Sequence, residues 1–270
     1  MKSIACSLLL CAAPLFAAGV KTDAVVLPLA AAAQVLIPAA GSTPGNNGTF
    51  YRSDITVINF ASHDQAVTMQ WLPQGGTETS TTITIPSQSG IRSADFVRDY
   101  LNQTGLGAIL ITGMTAANGV PDTNAELYVN ARIWTPEPGT DGTTSQSFPA
   151  IPLSSANTDN AALFTAGGSD RPENYRENVG IVNLDANPQT FTISLLNAAG
   201  TPQTITAVIP GRSMQQVALG SGLPPTQQIL IQNTTATATR SNTWIAYGST
   251  ADNVTGDAWS ELALPGAPAQ

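Results

Sequence analysis

Between Ala66 and Leu72 the apolar Val67, Met69 and Trp71 alternate with Thr68 and Gln70. Between Thr190 and Leu195 the apolar Phe191, Ile193 and Leu195 alternate with Thr192 and Ser194. Successive side chains of a strand point to opposite faces, so a period of two marks a strand with one face turned to a core and the other to water. Threonine suits such strands because its branched side chain fits a pleat. Turn-forming residues punctuate the runs at Pro73–Gly76, Asn187-Pro188, Ala198-Ala199-Gly200 and Pro210-Gly211. One segment departs from this period. Ser93 to Leu101 carries a capping Ser, acidic residues in its first turn and apolar residues at helical spacing, with Gly105 just past its end, and predicts a helix of two to three turns. The matching stretch around Gln216–Pro225 is shorter and richer in Gly and Pro, which points to a vestigial helix there.

The pattern occurs twice. Tyr51-Arg52-Ser53-Asp54-Ile55-Thr56-Val57-Ile58-Asn59 aligns with Tyr175-Arg176-Glu177-Asn178-Val179-Gly180-Ile181-Val182-Asn183 at an offset of 124. The same offset carries Val67, Met69 and Trp71 onto Phe191, Ile193 and Leu195, and Ile85-Pro86 onto Ile209-Pro210. With a small drift, Ile109-Leu110-Ile111 meets Ile229-Leu230-Ile231, Ile151-Pro152 meets Leu264-Pro265, and Ile37–Gly41 meets Phe164–Gly168. An ordered series of this kind is a tandem duplication. Short strands at this spacing predict an all-β chain of two tandem antiparallel immunoglobulin-like β-sandwich domains, with a short helix in the first. The expected boundaries are 34–153 for the first repeat, 154–162 for a polar join and 163–270 for the second repeat. The join reads either as a flexible linker or as a strap over an interface between the repeats.

The first residues change the picture of compartment. Met1 and Lys2 precede an apolar Leu/Ala-rich run to Val20, with small residues at Ala17-Ala18 and again at Ala31–Ala33. This is the pattern of a signal peptide over 1–33, cleaved between about 17 and 33, and it places the mature chain outside the cytoplasm of a bacterium, secreted or periplasmic. Pro14 and Pro28 interrupt the run, and no later segment reaches spanning length, so no membrane span is expected in the mature chain. Cys6 and Cys11 both lie in the leader, leaving a mature chain without disulfide, thiolate or Cys-ligated metal. Only 10% of residues are charged and the net charge is −8. Loss of Lys2, Lys21 and Asp23 with the leader leaves eight arginines against seventeen acidic residues, a balance that repels phosphate backbones and excludes nucleic acid as partner.

The chain resembles a family of secreted bacterial proteins, without an established activity, that carry a tandem β-sandwich unit. The resemblance rests on Gly48-Thr49-Phe50-Tyr51-Arg52-Ser53-Asp54 leading to Asn59, on the Pro-Gly-rich stretch Thr135–Gly142, and on Ala246-Tyr247-Gly248-Ser249 followed by Asp252–Asp257. It spans Gln34 to Pro265 and implies export and a duplicated sandwich. The second repeat has Glu177-Asn178 where the first has Ser53-Asp54, so a site needing one carboxylate in both copies is not implied.

Candidate chemistry is sparse. A Ser-His-Asp triad needs a base, and the sole histidine, His63, sits between Ser62 and Asp64 in a turn. No nucleophile elbow, phosphate loop or dinucleotide fingerprint occurs. Asp95 and Asp99, one helical turn apart, are a formal carboxylate pair, more simply read as a solvated helix face. Asp252, Asn253 and Asp257 offer oxygen ligands to calcium; the plainer reading is a turn. Arg52 and Arg176, kept in both repeats, are candidate forks for a carboxylate or sugar hydroxyls, against the plainer reading of pairing with Asp54 or Glu177. Asn59 and Asn183 read as turn residues bonding their own backbone. Trp71 falls on an apolar strand face and belongs to the core, and Trp259 is the tryptophan placed to stack on a glycan. The expectation is a secreted, non-catalytic protein for extracellular or cell-surface binding or adhesion, with a glycan or other surface ligand and no required cofactor. A carbohydrate-active enzyme or its accessory module, and a self-assembling structural subunit, are the alternatives.

Overall fold

The computed structural model describes residues 31–45, 48–115, 119–137, 139–155, 161–165, 171–196, 203–224 and 227–265. Residues 1–30, most of the leader expected over 1–33, lie outside them. In the first repeat the alternating segments form β1 (Gln34–Pro44), β2 (Phe50–Asn59), β3 (Gln65–Pro73), β4 (Thr79–Ile85), β5 (Ser89–Ser93), β6 (Gly105–Met114), β7 (Leu127–Pro136), β8 (Thr143–Phe148) and β9 (Ile151–Pro152), all paired antiparallel. β4, β3, β6, β1 and β9 lie side by side, as do β5, β2, β7 and β8. β1 joins the two halves, pairing with β6 along most of its length and with β2 at Ser42–Pro44.

The second repeat supplies β10 (Ala161–Thr165), β11 (Tyr175–Asn183), β12 (Gln189–Leu196), β13 (Gln203–Ile209), β14 (Ser213–Ser221), β15 (Gln228–Asn233), β16 (Trp244–Asp252), β17 (Ala258–Leu262) and β18 (Leu264–Pro265). They form a five-stranded sheet in the order β13-β12-β15-β10-β18 and a four-stranded sheet in the order β14-β11-β16-β17. This is the first repeat's order strand for strand. The register agrees as well: Ile37 faces Ile109 on β6, and Phe164 faces Ile229 on β15, as the sequence alignment requires. The chain is therefore an all-β sandwich protein whose topology occurs twice.

Each repeat has its own core, built from the inward residues of its two sheets. Val67, Met69, Trp71, Ile109 and Ile111 meet Ile55, Val57, Val129 and Ala131 in the first. Phe191, Ile193, Ile229 and Ile231 meet Val179, Ile181, Trp244 and Ala246 in the second. A third apolar cluster belongs to neither repeat alone. Leu36, Leu72, Ala108, Leu110 and Ile151 of the first pack on Val182, Leu184, Met214 and Ile245 of the second. Phe148 and Ala39 extend it onto Tyr247, with the Phe148 and Tyr247 rings edge to face at 5.3 Å between centroids. The sheets thus stack in four layers, and strands of the middle two bury both faces: Val35 and Ile37 point into the first core while Leu36 points at the second repeat. Polar groups seal the rim of this contact. Arg212 pairs with Glu78 at 3.3 Å, Ser213 Oγ donates to the Pro73 carbonyl at 2.8 Å, and Gln146 exchanges hydrogen bonds with Ser249.

Two expectations need correction. The helix is a single turn, α1 (Phe96–Asp99), because Ser93 is the last residue of β5, paired with Ile55, and Asn102 turns the chain with φ of 51°. Ser93 does not cap this turn, whose N-cap position is Asp95; Ser93 Oγ accepts the Asp95 N–H at 3.0 Å just ahead of it, and Phe96, Val97 and Leu101 close one end of the first core. The counterpart in the second repeat is strand up to Ser221. The join is also shorter than 154–162: Leu153–Ser155 form a 3-10 turn and β10 already pairs with β15 from Ala161. Residues 156–160 of the expected join are outside the described ones.

Candidate functional site

The outer face of β5, β2 and β7 ends the four-layer stack in the first repeat and is open to solvent. Alternation puts Arg52, Asp54, Thr56 and Ile58 of β2 on this face, beside Tyr128, Asn130, Arg132 and Trp134 of β7. Asp54 stands opposite Arg132, and Thr56 stands between Arg92 of β5 and Asn130. The Asp54 carboxylate, 8% exposed, takes a two-pronged contact from Arg92, Nε to Oδ1 at 2.9 Å and Nη2 to Oδ2 at 2.8 Å. Arg132 Nε reaches the same Oδ2 at 3.2 Å. These hydrogen bonds, the Arg92 fork foremost, hold the Asp54 carboxyl below its ordinary range and raise Arg92. Asp54, Thr56, Arg92, Asn130 and Arg132 line a shallow cleft of about 230 Å³.

Aromatic rings stand at both ends of this polar stretch. At one end Trp134 donates its indole N–H to the Ala94 carbonyl at 2.8 Å, and the Arg52 guanidinium lies 5.6 Å from its ring and 4.8 Å from that of Phe50. At the other, Tyr128 meets Phe60 with centroids 6.1 Å apart, and Phe60 is 51% exposed.

The predicted site residues divide between the two repeats. Arg52 pairs with Asp95 at 3.6 Å rather than with Asp54, whose carboxylate is taken by its cross-strand neighbours. Arg176 likewise does not meet Glu177, since adjacent strand residues face opposite ways; its Nη1 bonds Asn253 Oδ1, while the buried Glu177 accepts the Thr250 hydroxyl at 2.7 and 2.8 Å. Trp259 is 37% exposed and packs edge-on to Tyr175 at 5.6 Å, at the same end of the second repeat. The structure therefore brings Arg176, Asn253 and Trp259 to one end of the four-stranded sheet, where the Trp259 carbonyl accepts from Gln146 of the first repeat.

In the proposed calcium loop, Asp252 accepts from the Val254 N–H and the Thr255 hydroxyl, each at 2.7 Å, and these bonds lower its pKa, the backbone one most. Asp257 Oδ1 accepts the Ala258 N–H at 3.0 Å. Turn bonds thus account for these carboxylates, and among the described residues no group of three or more His, Cys, Asp or Glu is gathered as metal ligands. His63 is half-exposed in its turn, 3.8 Å from Asp122. Asp95 Oδ2 takes the Ser42 hydroxyl at 3.2 Å, and Asp99 takes that of Ser93, so the two carboxylates serve separate partners.

Asn59 and Asn183 are fully buried in one repeated network. Asn59 donates to the His63, Ile85 and Pro86 carbonyls at 2.8, 3.2 and 3.2 Å and accepts the Ala61 N–H at 3.0 Å. Asn183 makes the same four bonds to Asn187, Ile209, Pro210 and Asp185. Both hold a turn to the neighbouring strand end, in both repeats. The sequence reading missed the Asp54–Arg92–Arg132 trio; its only local signal was the outward row Tyr128, Asn130, Arg132, Trp134 alternating with Leu127, Val129, Ala131 and Ile133.

No protein-family model matches the chain, and no curated protein matches it. Among solved structures it is similar to vicilin from hazelnut, Corylus avellana, at 8% identity over 84% of this chain and 75% of that one; the TM-score is 0.25, too low to bear on fold or function. Among the described residues no helix is long and apolar enough to cross a membrane.

Proposed function

We propose that this is an exported, non-catalytic bacterial protein of two tandem immunoglobulin-like β-sandwich domains that acts outside the cell or at its surface by adhesion or recognition. The observation that carries the reading is the open outer face of the first repeat, where a row of aromatic, amide and guanidinium groups is fixed on rigid strands around a cleft. Strands hold side chains in place better than loops do, and side chains already ordered lose less entropy on binding. The leader-like first residues and the cysteine-free remainder support export, and the matching strand orders support the tandem arrangement. The test is retention of the purified mature chain on the producing organism's envelope and on insoluble polysaccharides, in calcium and in chelator. Retention without released sugars supports a binding module. Loss in chelator assigns a role to the Asp252–Asp257 loop. Failure to be retained on any surface overturns the reading.

The second reading, self-assembly, rests on the open edges. β4 and β13 end their sheets, and Val208 on β13 is 59% exposed. Unpaired edge groups accept another strand. Sedimentation that rises with concentration supports this reading, and a strict monomer at high concentration removes it.

A further inference from the structure

We infer that the face over β5, β2 and β7 takes a glycan bearing spaced carboxylates, of the uronic-acid class, with Arg132 and Arg92 holding a carboxylate and the flanking aromatic rings holding sugar faces. This rests on the binding reading above and names its ligand.

Charge comes first. Asp54 answers two guanidinium groups, so the cleft keeps one uncompensated positive charge in a chain whose net charge is −8. Arg132 bonds Asp54 through Nε, and its guanidinium lines the cleft with Asn130, so its terminal N–H groups remain for a ligand. A planar fork of this kind matches a carboxylate through two parallel hydrogen bonds. Asp54 thus fixes the direction of both guanidinium planes and lowers the entropy lost when a ligand arrives.

Shape comes second. Tyr128 and Trp134 lie six residues apart on one strand face, roughly 20 Å at about 3.4 Å per residue. That span suits an extended chain several sugars long, with ring contacts at its ends and polar contacts between. Side chains with flat apolar faces and polar rims, such as Tyr and Trp, take sugar faces well.

The negative net charge sharpens the class. It repels any polyanion at a distance, so charge alone does not hold the ligand, and the local positive charge and the ring contacts act together. An acidic peptide supplies the charge without the stiff ring faces.

The test is titration calorimetry of the full mature chain with polygalacturonate and with alginate, each beside its carboxyl-reduced form, and with polyglutamate. The expected result is binding of a uronate polymer that weakens about tenfold or more on carboxyl reduction, with polyglutamate weaker still. Arg132→Gln removes the fork. Asn130→Asp adds a repelling carboxylate at an exposed position of β7. Each variant is expected to lose about tenfold in affinity with its circular dichroism unchanged. Equal binding of acid and reduced polymers, equal binding of polyglutamate, or wild-type affinity in both variants overturns the inference. A chain retained on envelope yet indifferent to uronates overturns it while the binding reading stands; a chain retained nowhere removes both.

Discussion

Thr56 of the first repeat stands between Arg92 and Asn130, and its counterpart Gly180 stands between Gln216 and Tyr247. One step along, Asp54 opposite Arg132 becomes Asn178 opposite Ser249; one step back, Ile58 between Gly90 and Tyr128 becomes Val182 between Met214 and Ile245. The strand positions are the same, and the charges of the Asp54, Arg92 and Arg132 trio have gone. The first face meets water and the second is pressed on the other repeat, where an ion trio would have to shed its hydration without enough partners in return. Gly180 belongs to the same change, because a Cβ there would overlap the Tyr247 ring that crosses it. The contact joins two different faces, an arrangement that continues without end if both free faces stay complementary.

A reciprocal exchange between the matching positions has the largest expected effect. Tyr247→Asn empties a fully buried site and is expected to cost about 3–5 kcal/mol in denaturant unfolding. Asn130→Tyr, at the matching but exposed position, is expected to stay within about 0.5 kcal/mol. The features common to both repeats give the next effect. Asn59→Ala and Asn183→Ala each orphan buried backbone groups, and each is expected to cost about 1–3 kcal/mol, with the two losses alike. Glu78→Gln, which removes the half-buried pair with Arg212 at the rim, is expected to cost less than about 1 kcal/mol.

The smallest effect is in pH. The Asp54 carboxyl is held below its ordinary value of 3.8, first by the Arg92 hydrogen bond. Near and below that value the unfolded chain binds the proton more readily than the folded one. The stability Asp54 confers is therefore complete above pH 3.8 and is lost as pH falls through the lowered value. Asp54→Asn removes part of that acid dependence, seen by comparing thermal unfolding of the two proteins at neutral pH and near pH 3. The second repeat, with Asn178 there, has no counterpart.

Much of the fold was legible. The duplication predicted the paired strand orders, and period two predicted that Val67, Met69, Trp71, Phe191, Ile193 and Leu195 face the cores. The interface left a signal too: Val35-Leu36-Ile37, Ile109-Leu110-Ile111 and Trp244–Tyr247 do not alternate, as expected of strands buried on both faces. Which surface covers them is set by how the repeats meet, which local pattern does not contain. The candidate site was largely illegible for a related reason. Arg92 and Arg132 reach Asp54 across 38 and 78 residues, and only the register of three strands puts them together. Arg52 and Asp95 likewise meet because a single helical turn lies beside β2.

The repeats form one body through the Leu36–Ile245 cluster, which leaves a single face of that sheet type open. Differential scanning calorimetry of the full chain, with and without Tyr247→Asn, tests it most directly. One transition is expected in the wild type, with calorimetric and van't Hoff enthalpies equal, that splits or shifts as a whole in the variant. Two independent transitions in the wild type, one of them untouched by Tyr247→Asn, contradict it.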